Sequence, residues 1–376
     1  MKVLILTVST GQGHKQTGMA ISEYFEKQGA ECILLDAYKY ISPFLSDSLE
    51  KGYLLTTHYL PKTYGTFYEM LENKKNKESR VSFFSSINNA VAASKMTKYI
   101  EEMKPDVVIS THIFCATVMT HVCKTLDNIV NVGIITDFTI HPFWEETKMD
   151  YYITASHLLG HQCDKKGLPK DKVFPVGIPV AEKFTKKIPK DEARKILGIE
   201  DKPTIMFMMG SMGFGNMPKM IAAIDGLELD FQILCVCGKN AAAKKKIGKM
   251  EIAHKTFAYG YVDNVDVMMD ASDFIITKPG GLSMSESLAK GLPAILIHPI
   301  PGHEIRNLEF FTNNGISMAV TKTFTIDEAV YQMLSNEWKM ENTCKGVAYI
   351  GKPNAVSDLY KLLCGKDMEN ENKEDR

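Results

Sequence analysis

One unit recurs along this chain and limits what it can become: a short apolar run, a glycine turn, then helical spacing. Residues 2–8 are apolar and meet Ser9-Thr10-Gly11-Gln12-Gly13-His14. Helical spacing follows in KQTGMAISEYFEKQGA, and the short run CILLD ends at Asp36. That order is a βαβ opening. Further apolar runs lie at 106–110, 132–136, 151–155 and 173–176, with helical segments between most of them. Strands apolar along their whole length belong in parallel sheets covered on both faces. A second series begins near Thr204, with runs at 204–209, 231–236, 257–260, 274–277, 294–298 and 317–320. The fold class predicted is α/β, two doubly wound domains in succession.

The 376 residues suffice for two such domains. Residues 1–176 form the first and 204–350 the second. Between them, 177–203 carries Pro179, Pro189, Pro203 and many lysines, and reads as a linker with one short helix, DEARKILG. Residues 351–376 supply a last helix and a charged tail. The first domain carries an insert at 42–94, rich in Tyr, Phe and Leu, with Lys74, Lys75 and Lys77. Such an insert suits an anionic bilayer or an apolar groove, or forms helices packed on the domain.

A formal net charge of -1 gives no global basic footprint, so no nucleic-acid partner is expected. The 8 cysteines show no CxxC pair and no zinc-finger spacing, which fits reduced thiols of a cytoplasmic protein. The N-terminal apolar run is too short for a signal peptide, and no stretch approaches the ~20 apolar residues of a span. Contact with a membrane is therefore expected only from outside.

The segment 277–307 concentrates the chemistry. A strand ends at Lys278-Pro279-Gly280-Gly281, and a helix is expected to begin near Ser283. Two glycines allow close backbone approach, and a helix start offers free N–H groups, an arrangement that binds phosphate. Glu286, one turn on, is placed to accept hydrogen bonds from vicinal ribose hydroxyls. After the next strand, Pro299 and Pro301 fix a rigid turn, and His303, Glu304 and Asn307 open another helix near the sugar. In the first domain, Asp137 ends an apolar strand, where partial burial favours a base. His14 follows the first glycine turn, where ligands gather in doubly wound folds. Leu158 stands where HExxH needs Glu, so His157 and His161 are not a zinc pair.

These motifs in order resemble the GT-B glycosyltransferases related to monogalactosyldiacylglycerol synthases and processive diacylglycerol glucosyltransferases. A more distant likeness is to the peptidoglycan lipid-linked N-acetylglucosaminyl transferase. The likeness runs through GQGH (11–14), STHIF (110–114), TDFTIHPFW (136–144), DYYITAS (150–156), VGIPV (176–180), MMGSMGFG (208–215), VCGKN (236–240) and SDFIITKPGGLSMSE (272–286). It implies two Rossmann-like domains facing each other across a cleft, the first for acceptor and membrane, the second for a UDP-sugar.

By the same resemblance, Asp137 is the base and His14 its catalytic companion. Gly11 and Gly13 face the donor diphosphate. Gly210, Ser211 and Gly213 close the nucleotide site, with Asn240 and Val262 near it. Gly280, Gly281 and Leu282 cradle the diphosphate, and Glu286 holds ribose. His303, Glu304 and Asn307 meet the donor sugar, and His112, His141 and Trp144 the acceptor. The family usually carries Gln where this chain has His303, and Thr17 and Gly18 replace its small residues after the GQGH turn.

The implied activity is an inverting transfer of a hexose from UDP-glucose or UDP-galactose to diacylglycerol or its glycosylated form. It would occur at the cytoplasmic face of the membrane, by a peripheral protein. UDP-sugar is the donor; no cofactor is obligatory, and no Asp-x-Asp motif at a strand end implies a metal. The alternatives are an N-acetylglucosamine-using lipid-linked transferase, a UDP-sugar 2-epimerase, and a UDP-sugar-sensing regulator. The aromatic insert speaks against an epimerase. A dehydrogenase fits least, because GQGHKQ lacks the third glycine of GxGxxG.

Overall fold

A computed structural model describes residues 1–8, 12–42, 87–210, 213 and 215–365, without the side chains of 87–90. Gly11, Ser211, most of the 42–94 insert with its lysines, and the charged tail lie outside the described residues. The chain divides into two compact units. The first holds the described residues of Met1–Glu182, Ile300–His303 and the last helix. The second holds Lys183–Pro299 and Glu304–Pro353.

In the first unit the described elements run β1 (Lys2–Thr7), α1 (Gln12–Lys27), β2 (Glu31–Asp36), α2 (Ala37–Ile41), α3 (Ile87–Met103), β3 (Val107–Ser110) and α4 (Ile113–Val122). Then come β4 (Val130–Ile134), β5 (Tyr151–Ile153), α5 (Gly160–Lys165) and β6 (Val173–Phe174). All neighbours are parallel, in the order β2-β1-β3-β4-β5-β6. Val3, Ile5, Val107, Ile109, Val132 and Ile134 face one core with Ile21 and Phe25 of α1. Leu4, Leu6 and Val108 face the other, with Met96 of α3 and Met119 of α4. Alternate strand residues thus enter opposite cores, which is why the runs are continuously apolar.

Gly18 sits where α1 crosses the sheet. A Cβ there would lie 2.9 Å from Leu34 Cδ1 and 3.3 Å from Ile5 Cγ2. The departure from the family at this position therefore concerns helix–sheet packing.

The second unit starts with α6 (Lys190–Leu197). It continues through β7 (Thr204–Met208), α7 (Met217–Ile224), β8 (Gln232–Val236), α8 (Ala241–Ile247), β9 (Thr256–Tyr259) and α9 (Val265–Ala271). Next come β10 (Phe274–Thr277), α10 (Gly281–Lys290), β11 (Ala294–Leu296), α11 (His303–Asn313), β12 (Ser317–Ala319), α12 (Ile326–Ser335) and α13 (Glu337–Ile350). This sheet is also parallel, ordered β12-β11-β10-β7-β8-β9. The last helix, α14 (Ala355–Leu363), belongs to the first unit, where Tyr360 meets Phe25 edge-on at 5.0 Å.

The segment expected as a linker is anchored. From Lys183 on it is part of the second unit. Arg194 of α6 is buried; it donates to the Ala271 carbonyl at 3.1 Å and pairs with Asp273 at 2.9 Å and Asp201 at 2.6 Å. Lys290, at the end of α10, pairs with Asp270 at 2.6 Å and donates to the Lys186 carbonyl. Both charges of that pair are almost wholly buried. Burial pushes the Asp270 carboxyl up and Lys290 pulls it back.

Removing one partner of such a pair leaves a buried charge alone, at a cost of about 3 kcal/mol or more. Lys290→Met is therefore expected to destabilise the second unit by about that much in urea unfolding. Lys290→Met with Asp270→Leu should recover most of the loss.

Candidate functional site

In a doubly wound sheet a crevice opens where successive strands depart to opposite sides. The first unit has this switch point between β1 and β3, and the second between β7 and β10. Most of the residues singled out above cluster at those two places.

At the first switch point, Thr111 just after β3 donates its hydroxyl to the Leu6 carbonyl at 3.2 Å, tying the two strand ends together. His14 Nδ1 lies 2.8 Å from the Thr111 carbonyl and 3.1 Å from Thr136 Oγ1. A carbonyl only accepts, so Nδ1 carries the proton and the neutral ring keeps a bare lone pair on Nε2. Burial lowers the His14 pKa, against the opposing pull of the Asp137 charge and the Thr111 carbonyl.

His112 has the opposite tautomer. It caps α4, with the Phe114 N–H donating to its Nδ1 at 3.1 Å, so its proton sits on Nε2. Burial holds it well below the ordinary histidine range, helped by His14 and His141. The His14 and His112 rings meet edge-on at 4.6 Å. His141 likewise caps the short 3-10 helix Pro142–Glu146, accepting from the Phe143 N–H at 3.2 Å.

β4 ends at Ile134, two residues before the expected end, so half-buried Asp137 stands on the loop beyond it. Its charge acts on His14. Trp144 is buried inside the unit. A Cβ on Gly133 would lie 2.7 Å from its ring, and Tyr152 packs against it edge-on. Its visible role is therefore packing under β4. Sequence reasoning missed Thr111 and Thr136, whose part is to fix a tautomer; nothing short of the fold brings them to His14.

At the second switch point, α10 begins at Gly281, two residues earlier than expected, with Gly280 as its N-cap. Its N-cap is a glycine, so the cap residue itself offers no side-chain acceptor to the first N–H groups. Asn307 donates from Nδ2 to the Pro279 carbonyl at 3.0 Å and fixes the turn from α11. Glu304 is buried, with Oε1 3.8 Å from where a Gly280 Cβ would be. His303 is half-buried at the start of α11, and Leu282 and Val262 are half-buried too.

Glu286 lies one turn inside α10. Among the described residues its carboxyl has no hydrogen-bond partner. Burial pushes its pKa up to about 8, only partly relieved by the charge of Lys183.

The β7 turn is held by packing. Gly213 has φ +62°, and a Cβ would lie 2.1 Å from the Cys237 carbonyl oxygen, so only glycine fits. Gly210 has φ +72° with open space around it. Asn240 donates to the Gly213 carbonyl at 3.0 Å and accepts from the Ala243 N–H at 2.9 Å. Both ends of its amide are thus engaged in shaping the loop. Gly13 lies in the first turn of α1. Among the described residues no group of three or more His, Cys, Asp or Glu is placed to hold a metal ion. None of the described helices is long and apolar enough to cross a membrane.

Two parallel six-stranded sheets, each with a switch point in its strand order, are the architecture of GT-B glycosyltransferases. Residues 14–180 match the model of monogalactosyldiacylglycerol (MGDG) synthase, and residues 204–359 match the glycosyltransferase family 28 C-terminal domain. Over those residues the first unit is thus similar to MGDG synthases, and the second to family 28 glycosyltransferases. A relative from Bacillus pumilus, a processive diacylglycerol beta-glucosyltransferase, is 29% identical and covers 91% of this chain and 88% of its own. The enzyme of that name from Bacillus subtilis is 26% identical over 96% of this chain and 95% of its own. In fold, the chain is similar to Acinetobacter baumannii MurG, with a TM-score of 0.65 at 15% identity over 97% of this chain and 99% of that one.

Glu286 gives a test with a defined sign. Its folded pKa of about 8 lies above the ordinary glutamate value near 4.3. Below pH 4 both states are protonated and nothing is lost. As pH rises, the unfolded chain releases the proton first, so the residue costs stability progressively until about pH 8. Glu286→Gln should therefore raise the thermal midpoint of the second unit at pH 8, for a stabilisation of at most about 5 kcal/mol, and change it little at pH 4. An equal shift at both pH values would refute the raised pKa.

Proposed function

We propose that this protein transfers a hexose from a UDP-sugar to diacylglycerol, or to a diacylglycerol already carrying sugar, with inversion at the anomeric carbon. The activity named for its relatives supports the acceptor class. The observation that carries the donor site is Glu286: a half-buried carboxyl whose pKa burial raises, with no hydrogen-bond partner among the described residues, one turn beyond a helix start capped by glycine. A buried polar group is costly to leave unpaired, and two ribose hydroxyls would supply what it lacks.

In this reading the second unit holds the donor. Gly280, Gly281 and Leu282 cradle the diphosphate, Glu286 takes ribose, and Glu304, His303 and Asn307 lie toward the sugar. Gly210, Ser211, Gly213 and Val262 complete the nucleotide side, with Asn240 shaping the Gly213 turn beside it. The first unit holds the lipid hydroxyl, with Gly11 and Gly13 toward the donor diphosphate. Asp137 takes the single hydroxyl proton, and the neutral ring of His14, influenced by the Asp137 charge, lies in the same part of the first unit. His112 and His141, each with Nδ1 engaged by a backbone N–H, offer Nε2–H donors to the acceptor.

The oxygen then bonds to the anomeric carbon as the bond to the diphosphate breaks. The electron pair leaves with UDP, whose charge the helix start stabilises. Because the acceptor is a membrane lipid, the work is done at a membrane surface, on its cytoplasmic face, by a peripheral protein.

The test is UDP release by purified protein given UDP-glucose, UDP-galactose or UDP-N-acetylglucosamine, with and without diacylglycerol liposomes. Release requiring one donor and the lipid together is the expected result. Donor binding with no lipid-dependent release would overturn the transferase reading. Asp137→Ala is expected to lower turnover by about 100-fold or more while leaving UDP binding intact. Wild-type turnover by that variant would remove Asp137 as the base.

A further inference from the structure

The second unit contains a cation that the roles above leave without work. Lys278 is the residue immediately after β10, at the switch point, and directly precedes the Pro279-Gly280-Gly281 turn. It is half-buried. A lysine kept for solubility stands in water, whereas this one gives up hydration, and that lowers its pKa. The Glu304 carboxylate opposes the loss. Next to it, beyond the end of β11, His298 holds a left-handed backbone at φ +44°. Burial lowers the His298 pKa and the charge of Lys278 lowers it further, so Lys278 carries the positive charge of this corner.

The surroundings keep that charge in place. Asn307 holds the Pro279 carbonyl from α11, and Glu304 stands on the same helix, close to Gly280. Thr277, the last residue of β10, donates its hydroxyl to the Met208 carbonyl at 2.6 Å and locks the strand end from which Lys278 departs. The side chain is thus rooted in a fixed backbone just before a helix start capped by glycine. Helix N–H groups supply only partial charge, about half a unit. A diphosphate carries more than that, and the half-buried lysine two residues before Gly280 supplies a full unit.

We propose that Lys278 is the cation of a nucleoside-diphosphate subsite, held by Glu304 on one side and meeting the phosphates above Gly280 and Gly281. This rests on the donor-site reading above and adds to it the residue that neutralises the leaving group. In the transfer step, negative charge grows on the diphosphate as the anomeric bond breaks, and Lys278 gains most at that moment. Sequence reading passed over it because a lysine at a strand end resembles an ordinary surface charge.

Calorimetric titration of uridine, UMP and UDP into wild type, Lys278→Met and Lys278→Arg tests the assignment. A charge-assisted contact is worth about tenfold or more in affinity. Lys278→Met should weaken UDP by about that factor, weaken UMP less, and leave uridine unchanged; Lys278→Arg should retain most of the UDP affinity. A lysine that only supports the fold would affect all three ligands alike and lower the thermal midpoint, and that pattern would overturn the proposal. Wild-type UDP affinity in Lys278→Met would overturn it too. If wild type itself fails to bind UDP, the donor-site reading falls first, so the two failures are distinguishable.

Discussion

Parallel strand pairing is the constraint from which the rest follows. Both sheets pair every neighbour in parallel, so all strands of a sheet end on one edge and each connection must return over a face. The faces are then covered, the strands become apolar on both sides, and polar residues are driven to the strand ends. Within each sheet one strand, β1 or β7, sends its successor to one side and a later strand to the other. The helices diverge there, and the backbone left between them opens a crevice that suits a ligand. His14 and Thr111 stand at one such place, Lys278 and Gly280 at the other.

Buried charge in the second unit divides by whether it is answered. Lys290 and Asp270 answer each other, and Arg194 is met by Asp273, Asp201 and a carbonyl. These groups bind the chain before β7 to the helices after it. Glu286 has no such answer among the described residues, and its proton is held to about pH 8. The first arrangement holds the fold together. The second opposes it, and a cost retained at the start of α10 makes sense if a ligand removes it.

In the first unit the same logic acts on tautomers. Three histidines each have Nδ1 committed to backbone: His14 to a carbonyl, His112 and His141 to N–H groups. One ring thereby keeps a lone pair and the other two keep donors, without any titration. Burial of His14 and His112 favours the neutral ring, so this division of roles is set by backbone geometry.

The sequence by itself determined the elements. Continuous apolar runs of strand length, glycine turns after them and helical spacing between them leave few other folds, and β1, β7 and β10 lie close to where the runs are. The glycine turn at Gly280 and the carboxyl at Glu286 were legible for the same reason, since both depend on local order along the chain. Tertiary structure alone decided partners and environment. That Trp144 packs on Gly133, that Asn240 is used up in the Gly213 turn, and that the residues after Lys183 are fastened to the second unit are contacts between distant residues. So too are the partial burial of Glu286 and Lys278 and the proton on His14 Nδ1. Burial and hydrogen-bond partners come from segments brought together by the sheet, and spacing along one chain carries no record of them.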